Sequence, residues 1–396
     1  QGKTGHASPP KRGKEQWTAM ADALHQRVIE LFHPQLDQLD HCNHCDACVL
    51  VLSSFVILAD WVASSMPFES LSGEDDSCYC MLSRALADHI VKEYGLSSNQ
   101  PFPPIQVYQT LWPFLSHARL RPLQSPMMAD EWPAADLTNH QPPIGEGKTE
   151  AGAFYAARLC GLQGRHGLYF ALPTAATSNQ MYQRMKAMFA QIHREGPRLM
   201  HGMAWLSLLA PISYMKDEEE GPERADWLQR MRRAMLAENG VGTVDQAMMA
   251  ALQIRYGSLR MLGLLGKVLL IDEVHAYDAY MYSILEKLLE WCRVLHIPVV
   301  MLSATLTEEK RIALMKSAGA KACEAEQAYP LITQVRDGEV RQVAVSGTAQ
   351  CGSYLFEPVF IWDDPQRLAD RALSKVDAGG CLCVMMNTVD DAQRVF

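Results

Sequence analysis

The sequence predicts an α/β protein built on a parallel sheet with helices on both faces. Three short apolar runs read as buried strands, "GLYFALPT", "KVLLIDE" and "PVVMLSAT", and each closes on a loop of small, hydroxylic or acidic residues. Helical stretches stand between and around them, among them "SNQMYQRMKAMFAQIH" and "MYSILEKLLEWCRVL". Strands that alternate with helices return to one sheet edge by crossover, which makes neighbours parallel and covers both faces.

Taken in order, residues 15 to about 65 read as helical, with apolar runs "LHQRVIELF" and "ACVLVLSSFVILADWVA". Residues 66–120 read as a connector: acidic "ESLSGEDDSC", one helix "SRALADHIVKEYGL", then Pro-rich "SSNQPFPPIQ". The α/β alternation fills 121–345, and 346–396 reads as a second connector and the start of another domain. No internal repeat is visible. "YMKDEEEGPERADW" is a charge run, read as a solvated loop, and the scattered Met residues suit plastic core packing.

The chain has 396 residues, 48% hydrophobic and 20% charged, enough for two or three cores. A net charge of −9 argues against a generally basic nucleic-acid coat, but leaves room for a groove of backbone amides, hydroxyls and a few cations. No run approaches the roughly eighteen apolar residues of a membrane helix. The first residues, "QGKTGHASPPKRGKEQW", hold neither an apolar signal segment nor an initiator Met. These features predict a cytoplasmic chain with no membrane partner that begins inside a longer one. The eleven cysteines then read as thiols or metal ligands rather than disulfides. "HCNHCDAC" pairs Cys42 with Cys45 at CxxC spacing, with His41, His44 and Cys48 beside them. Zinc needs a second pair, for which Cys78 and Cys80 are the nearby candidates; the same spacing fits one face of a helix, which is the favoured reading.

"PPIGEGKTEAG" reads as a phosphate loop. Gly145 and Gly147 let the backbone curl and aim its N–H groups at one point. Lys148 would reach the β- and γ-phosphates, and the Thr149 hydroxyl would bind Mg²⁺. A helix follows, "TEAGAFYAARLCGL", with Ala153, Ala156, Ala157 and Leu159 as packing residues and its positive end toward the phosphates. Two features depart from the plain pattern: Pro142 stands where Gly is usual, and the lead-in "ADLTNHQ" is too polar for the buried strand such a loop leaves. A Gly-rich turn before a helix is the bland alternative. "KVLLIDEVHAYD" supplies the acidic element that hydrolysis needs. Val268, Leu269, Leu270 and Ile271 bury a strand, Asp272 would hold Mg²⁺ through water, and Glu273 would polarise the attacking water as general base. In "VVMLSATL", Ser303, Ala304 and Thr305 close a further strand and could couple the phosphate site to a moving neighbour.

Together "PIGEGKTEA", "ALPTAATSNQMYQRM", "GVGTVDQAMMAAL", "DEVHAYDAYM" and "MLSATL" resemble a superfamily 2 helicase, and most of all the HD-nuclease/helicase of type I CRISPR systems. The resemblance runs over most of 121–320 and recurs at the C-terminus. It implies a RecA-like sheet preceded by an all-α remnant of the HD domain in 1–65. It implies ATP and Mg²⁺, single-stranded DNA as substrate, and the Cascade RNA-guided surveillance complex as partner. Within it Ile144 and Glu146 are familiar in the loop, Gln124 in "RPLQ" would read adenine, and His275 would join Ser303, Ala304 and Thr305 in coupling. Thr174 and the pair Gly242–Thr243 match strand-contacting motifs that hold phosphates by hydroxyl and backbone donors. "CVMMNTVDDAQRVF" resembles the first strand and helix of the second RecA-like domain, with Asn387–Thr388 at the turn. The later motifs, the arginine finger included, fall beyond Phe396, so this chain alone is expected to be inactive. "SSFVILADWVASS" resembles the last conserved helix of the HD nuclease, making Asp60 a ligand of its divalent transition metal, and His6 in "GHASPP" fits the first of a His-His pair, with Ala7 in place of the second. Two competing functions stay open: another superfamily 2 enzyme acting on RNA, and a truncated chain that binds nucleotide without turnover.

Overall fold

The structure, a computed structural model, describes residues 14–32, 45–64, 76–93, 96, 101–113, 120–128, 135–141, 147–200, 234–254, 256–322, 326, 328–345, 364–377 and 379–396. It divides into two units, 1–347 and 348–396.

In the first unit an eight-stranded sheet runs in the order β3-β4-β2-β5-β6-β1-β7-β8. The strands are β1 (Leu137–Gln141), β2 (Gly167–Leu172), β3 (Arg198–Met200), β4 (Gly240–Thr243), β5 (Lys267–Ile271), β6 (Val299–Leu302), β7 (Leu331–Arg336) and β8 (Glu339–Ala344). From β3 to β1 all neighbours are parallel; β7 and β8 close the β1 side antiparallel. The helices are α1 (Lys14–Phe32), α2 (Cys45–Ser64), α3 (Asp76–Glu93), α4 (Gln124–Met128), α5 (Lys148–Leu162), α6 (Ala175–Gln191), α7 (Val244–Met248), α8 (Gly257–Leu264), α9 (Ala279–Val294) and α10 (Glu308–Ser317). This is the expected α/β class, with more strands than the three the apolar runs announce.

Strand periodicity builds the two cores. Val268 and Leu270 of β5 face one apolar cluster with α5 and α6; Leu269 and Ile271 face the other with α7, α8 and α9. Leu168 and Phe170 of β2 divide from Tyr169 and Ala171 in the same way. Ala153, Ala156, Ala157 and Leu159 of α5 are all buried, as the sequence predicts. The Pro-rich run expected as connector joins this core: Phe102, Ile105, Tyr108, Leu111 and Trp112 are buried, and Tyr108 stacks on Phe154 with centroids 3.9 Å apart. Gly161 permits the approach, since a Cβ there would lie 2.9 Å from the Pro103 carbonyl oxygen.

The polar lead-in to the phosphate loop is corrected outright. "LTNHQ" is β1, an interior strand with every residue buried. It pairs with β6 on one side and β7 on the other, so the ladders take its backbone groups. Its side chains are partly served within the core. Thr138 donates to the Tyr155 hydroxyl at 3.3 Å, Gln334 donates to the same oxygen at 2.7 Å, and Arg311 donates to Gln141 at 3.3 Å. His140 lies edge-on to Tyr155, fully buried, with neither ring nitrogen hydrogen-bonded among the described residues. Burial lowers its pKa from 6.5 to about 3, so it is a neutral imidazole.

One apolar run is longer than the sequence reading allowed. Asp46–Ser64 is long and apolar enough, with mean hydropathy 2.0, to cross a membrane by length and composition. Within it Ser54 donates to the Leu50 carbonyl at 2.6 Å, so its hydroxyl is satisfied within the helix. In the structure α2 packs on α8, and Trp61 meets Tyr256 edge-to-face at 4.9 Å. Val49, Leu52, Phe55 and Val56 of α2 are exposed. The helix begins at Cys45; His41, Cys42 and His44 of the Cys/His cluster, and the charge run at 214–227, lie outside the described residues.

The second unit holds α11 (Pro365–Val376) and α12 (Val389–Val395), which pack together. Thr388 caps α12 by accepting from the Asp391 N–H at 3.1 Å. The strand expected at "CVMM" is not formed. Leu382, Val384 and Met385 are exposed, and a strand exists only where a neighbour supplies a ladder, which none of the described residues does here.

Candidate functional site

The chemistry gathers at the C-terminal edge of the parallel strands, where open α/β sheets place their ligands. β1 runs out at Gln141 toward the phosphate loop, β5 delivers Asp272 and Glu273, and β6 delivers Ser303, Ala304 and Thr305. Farther along the same edge, β2 leads to Thr174, and β4 ends in Gly242 and Thr243. The sheet order thus sets the nucleotide candidates side by side, with the strand-contact candidates adjoining them.

Lys148, the first residue of α5, is the centre of the first group. Its ammonium lies 2.5 Å from Glu273 Oε1 and 3.3 Å from Asp272 Oδ1. Asp272 is buried, and its Oδ1 also accepts from the Glu273 N–H at 2.8 Å. Burial raises the Asp272 pKa, while the nearby Lys148 charge opposes that rise. Glu273 sits in the left-handed region, at φ 55°. This turns its side chain back toward Lys148 at the cost of backbone strain. The tail of "DEVHAYD" fixes the turn: Tyr277 donates to the Asp272 carbonyl at 2.9 Å, Tyr282 donates to the Val274 carbonyl at 2.9 Å, and Asp278 caps α9 by accepting from the Met281 N–H at 2.8 Å.

His275 joins two strand ends. The Ala304 N–H donates to its Nδ1 at 3.3 Å, which makes that nitrogen the acceptor and places the proton of the neutral ring on Nε2. Nε2 lies 3.3 Å from Glu273 Oε2. Ser303 Oγ stands 3.4 Å from Nδ1 and donates to the Thr305 carbonyl at 3.1 Å. A polar path therefore runs from the "SAT" turn through His275 to Glu273 and Lys148.

Gly147 has φ 68°, and a Cβ on it would lie 2.6 Å from Gln124 Nε2. Glycine takes that φ without strain, and Gln124, buried in α4 with its Oε1 accepting from the Arg121 N–H at 3.1 Å, stands against it. Thr149 is half-buried in the first turn of α5. Gly145 and Glu146 lie outside the described residues. A buried carboxylate, an ammonium, a hydroxyl at a helix start and a glycine of positive φ just before that helix make a set that fits a nucleotide phosphate and Mg²⁺.

A DEAD/DEAH box helicase family model matches residues 136–312. The CRISPR-associated endonuclease/helicase Cas3 of Thermus thermophilus is 33% identical over 369 residues, covering 88% of this chain and 38% of the relative. The crystal structure of T. fusca Cas3-AMPPNP superposes with a TM-score of 0.71 at 31% identity, covering 88% of this chain and 42% of that one. The chain carries a Cas3-type helicase domain. It spans less than half the length of these relatives. A chain of a CRISPR RNA-guided surveillance complex, pre-nicking, is also similar, with a TM-score of 0.51 at 27% identity over 83% of this chain and 36% of that one.

In this Cas3-type domain the strand-contact candidates also serve the fold. Thr174 is the exposed cap of α6, accepting from the Thr177 N–H at 3.2 Å while Thr177 accepts from its own N–H at 3.3 Å. Gly242 is a close approach: a Cβ there would lie 2.3 Å from the Met200 carbonyl oxygen. Thr243 is buried and stands at the N-cap of α7. The structure does not bring Asp60 into any such group. It is exposed on α2, no cluster of three metal-ligating side chains occurs among the described residues, and His6 lies outside them. Sequence reasoning missed Tyr329, whose hydroxyl donates to the Ala304 carbonyl, and Arg311, which donates to Gln141 at the end of β1.

Proposed function

We propose that the chain supplies the ATP-hydrolysing motor of a helicase that moves along single-stranded DNA and works with an HD nuclease in CRISPR interference. The observation that carries the ATPase reading is the Lys148 ammonium held between Asp272 and Glu273, at the end of β5 and beside Gly147. Lys148 can give its N–H groups to phosphate oxygens as well as to carboxylates, and in doing so it leaves Glu273 free to accept a proton from water. Asp272 and Thr149 would hold Mg²⁺, which supplies charge neutralisation on the phosphates. Gln124, placed against the loop, would read the adenine, with Gly145, Glu146 and Gly147 wrapping the phosphates. His275 and the turn of Ser303, Ala304 and Thr305 would carry the change at Glu273 to neighbouring elements. Thr174, Gly242 and Thr243, along the same edge, would hold the nucleic-acid backbone without reading its sequence.

The wider roles rest on the relatives. In this reading 1–65 is the C-terminal part of an HD nuclease domain, with Asp60 and His6 contributing to a transition-metal site; 66–120 is a connector, 121–345 the first RecA-like domain, and 346–396 a connector and the start of the second. The likeness to a chain of the surveillance complex supports a Cascade-type partner. The test is phosphate release from ATP by the full polypeptide encoded by the gene, with single-stranded DNA and single-stranded RNA as separate activators. Lys148→Ala is expected to lower turnover roughly a hundredfold or more, as loss of one charge-stabilising donor does. Glu273→Gln is expected to keep nucleotide affinity while turnover falls by roughly the hundredfold or more of a lost general base. Turnover unaffected by Lys148→Ala would remove the motor reading, and stimulation by RNA alone would move it to an RNA helicase.

A further inference from the structure

We propose that Tyr329 is a positioning residue for ATP hydrolysis, holding the "SAT" turn in register with the "DEVH" strand end; this rests on the motor reading above. Tyr329 precedes β7 and lies outside the matched helicase region, which stops at residue 312. The residue is 54% exposed, yet its hydroxyl donates to the Ala304 carbonyl at 3.1 Å. The same Ala304 gives its N–H to His275 Nδ1 at 3.3 Å. One residue of the turn is thus held at both of its peptide groups, by His275 from within the motifs and by Tyr329 from outside. His275 continues to Glu273 Oε2 at 3.3 Å, and Glu273 to Lys148 at 2.5 Å. Tyr329 is itself near enough to Lys148 for the ammonium to oppose the rise in phenol pKa that burial causes.

The segment that presents Tyr329 is anchored rather than draped. Arg311 of α10 is buried, and donates to the Glu326 carbonyl at 2.6 Å and to Gln141 at 3.3 Å. Gln141 is the last residue of β1, and the phosphate loop leaves from it. The Glu326 N–H donates to Gln342 of β8 at 2.8 Å. After Tyr329, β7 pairs with β1 along its length. Both ends of the segment are therefore referred to the strand that launches the phosphate loop, while the phenol is referred to the turn that closes β6. A shift of the end of β1 relative to that turn would stretch the Tyr329–Ala304 bond or carry the turn along. The bond serves as a gauge between the two.

Tyr329→Phe removes the hydroxyl and keeps the ring. Steady-state ATP hydrolysis by the full polypeptide, with single-stranded DNA present, is expected to show kcat lowered roughly fivefold, the worth of one neutral hydrogen bond. The KM for ATP should stay at its wild-type value and the melting temperature close to it, since the hydroxyl makes one hydrogen bond, to the Ala304 carbonyl, from a residue that is itself well exposed. Unchanged kcat, a raised KM with kcat retained, or a melting temperature that falls with the rate would each overturn the proposal. Lys148→Ala, run beside it, separates this outcome from failure of the motor reading: if that variant turns over ATP normally the motor reading fails, whereas a dead Lys148→Ala with a wild-type Tyr329→Phe removes only the role of Tyr329.

Discussion

His140 makes the fold acid-sensitive at the strand that feeds the phosphate loop. Its imidazole is fully buried in β1, and burial takes its pKa from 6.5 to about 3. The folded state therefore resists protonation that the unfolded chain accepts. With the folded pKa depressed, the stability that His140 allows is fully present above pH 6.5 and is lost as pH falls from 6.5 toward 3. Between pH 7.5 and 4.5 the loss from this one group is about 3 kcal/mol, close to two pH units of full proton linkage. The assay is urea unfolding at a series of pH values for the wild type and His140→Phe, which keeps a ring against Tyr155 and titrates nothing. Carboxylates contribute to both proteins, so the difference between the two curves isolates His140. The wild type should lose ground to the variant by about that amount across the interval. Parallel curves would refute the reasoning, and would mean that the ring finds a partner on protonation that compensates its burial.

Two further outcomes follow from close contacts. Gly242→Ala puts a Cβ 2.3 Å from the Met200 carbonyl oxygen and 2.6 Å from Tyr169 Oη, and should cost about 1–3 kcal/mol of stability, read by thermal unfolding. Wild-type stability would mean that β3 yields freely. Tyr277→Phe removes the donor to the buried Asp272 carbonyl, and should cost about 1–2 kcal/mol while lowering ATP turnover, measured by phosphate release. A stable variant with normal turnover would show that the turn at Glu273 holds itself.

The parts of the fold that follow a simple period were legible. β2, β5 and β6 are unbroken apolar runs because both faces of each are covered, and α6 and α9 carry helical spacing. β1 was not legible, because its burial is supported by groups far away in sequence, Gln334 through Tyr155 and Arg311 through Gln141. β4 was not among the strands read from sequence, since "GVGT" has the glycines that Met200 and Tyr169 require of it in place of an apolar run. The β7–β8 hairpin did leave a signal. Asp337 and Gly338 both have positive φ, as a two-residue hairpin turn demands, and Asp-Gly between alternating residues marks such a turn. In the site, the motif residues announced themselves by spacing, whereas Tyr329 meets Ala304 only because β7 returns antiparallel to β1.

The left-handed backbone at Glu273 has a consequence for how this sequence can change. Glycine or asparagine would occupy φ 55° with less strain, so the residue that relaxes the turn is not the residue that carries a carboxylate. A library screened for heat resistance alone should drift toward those substitutions, and its hardiest members should be poor enzymes. Natural sequences that keep an acid there are under selection for turnover strong enough to hold a locally unfavourable backbone in place.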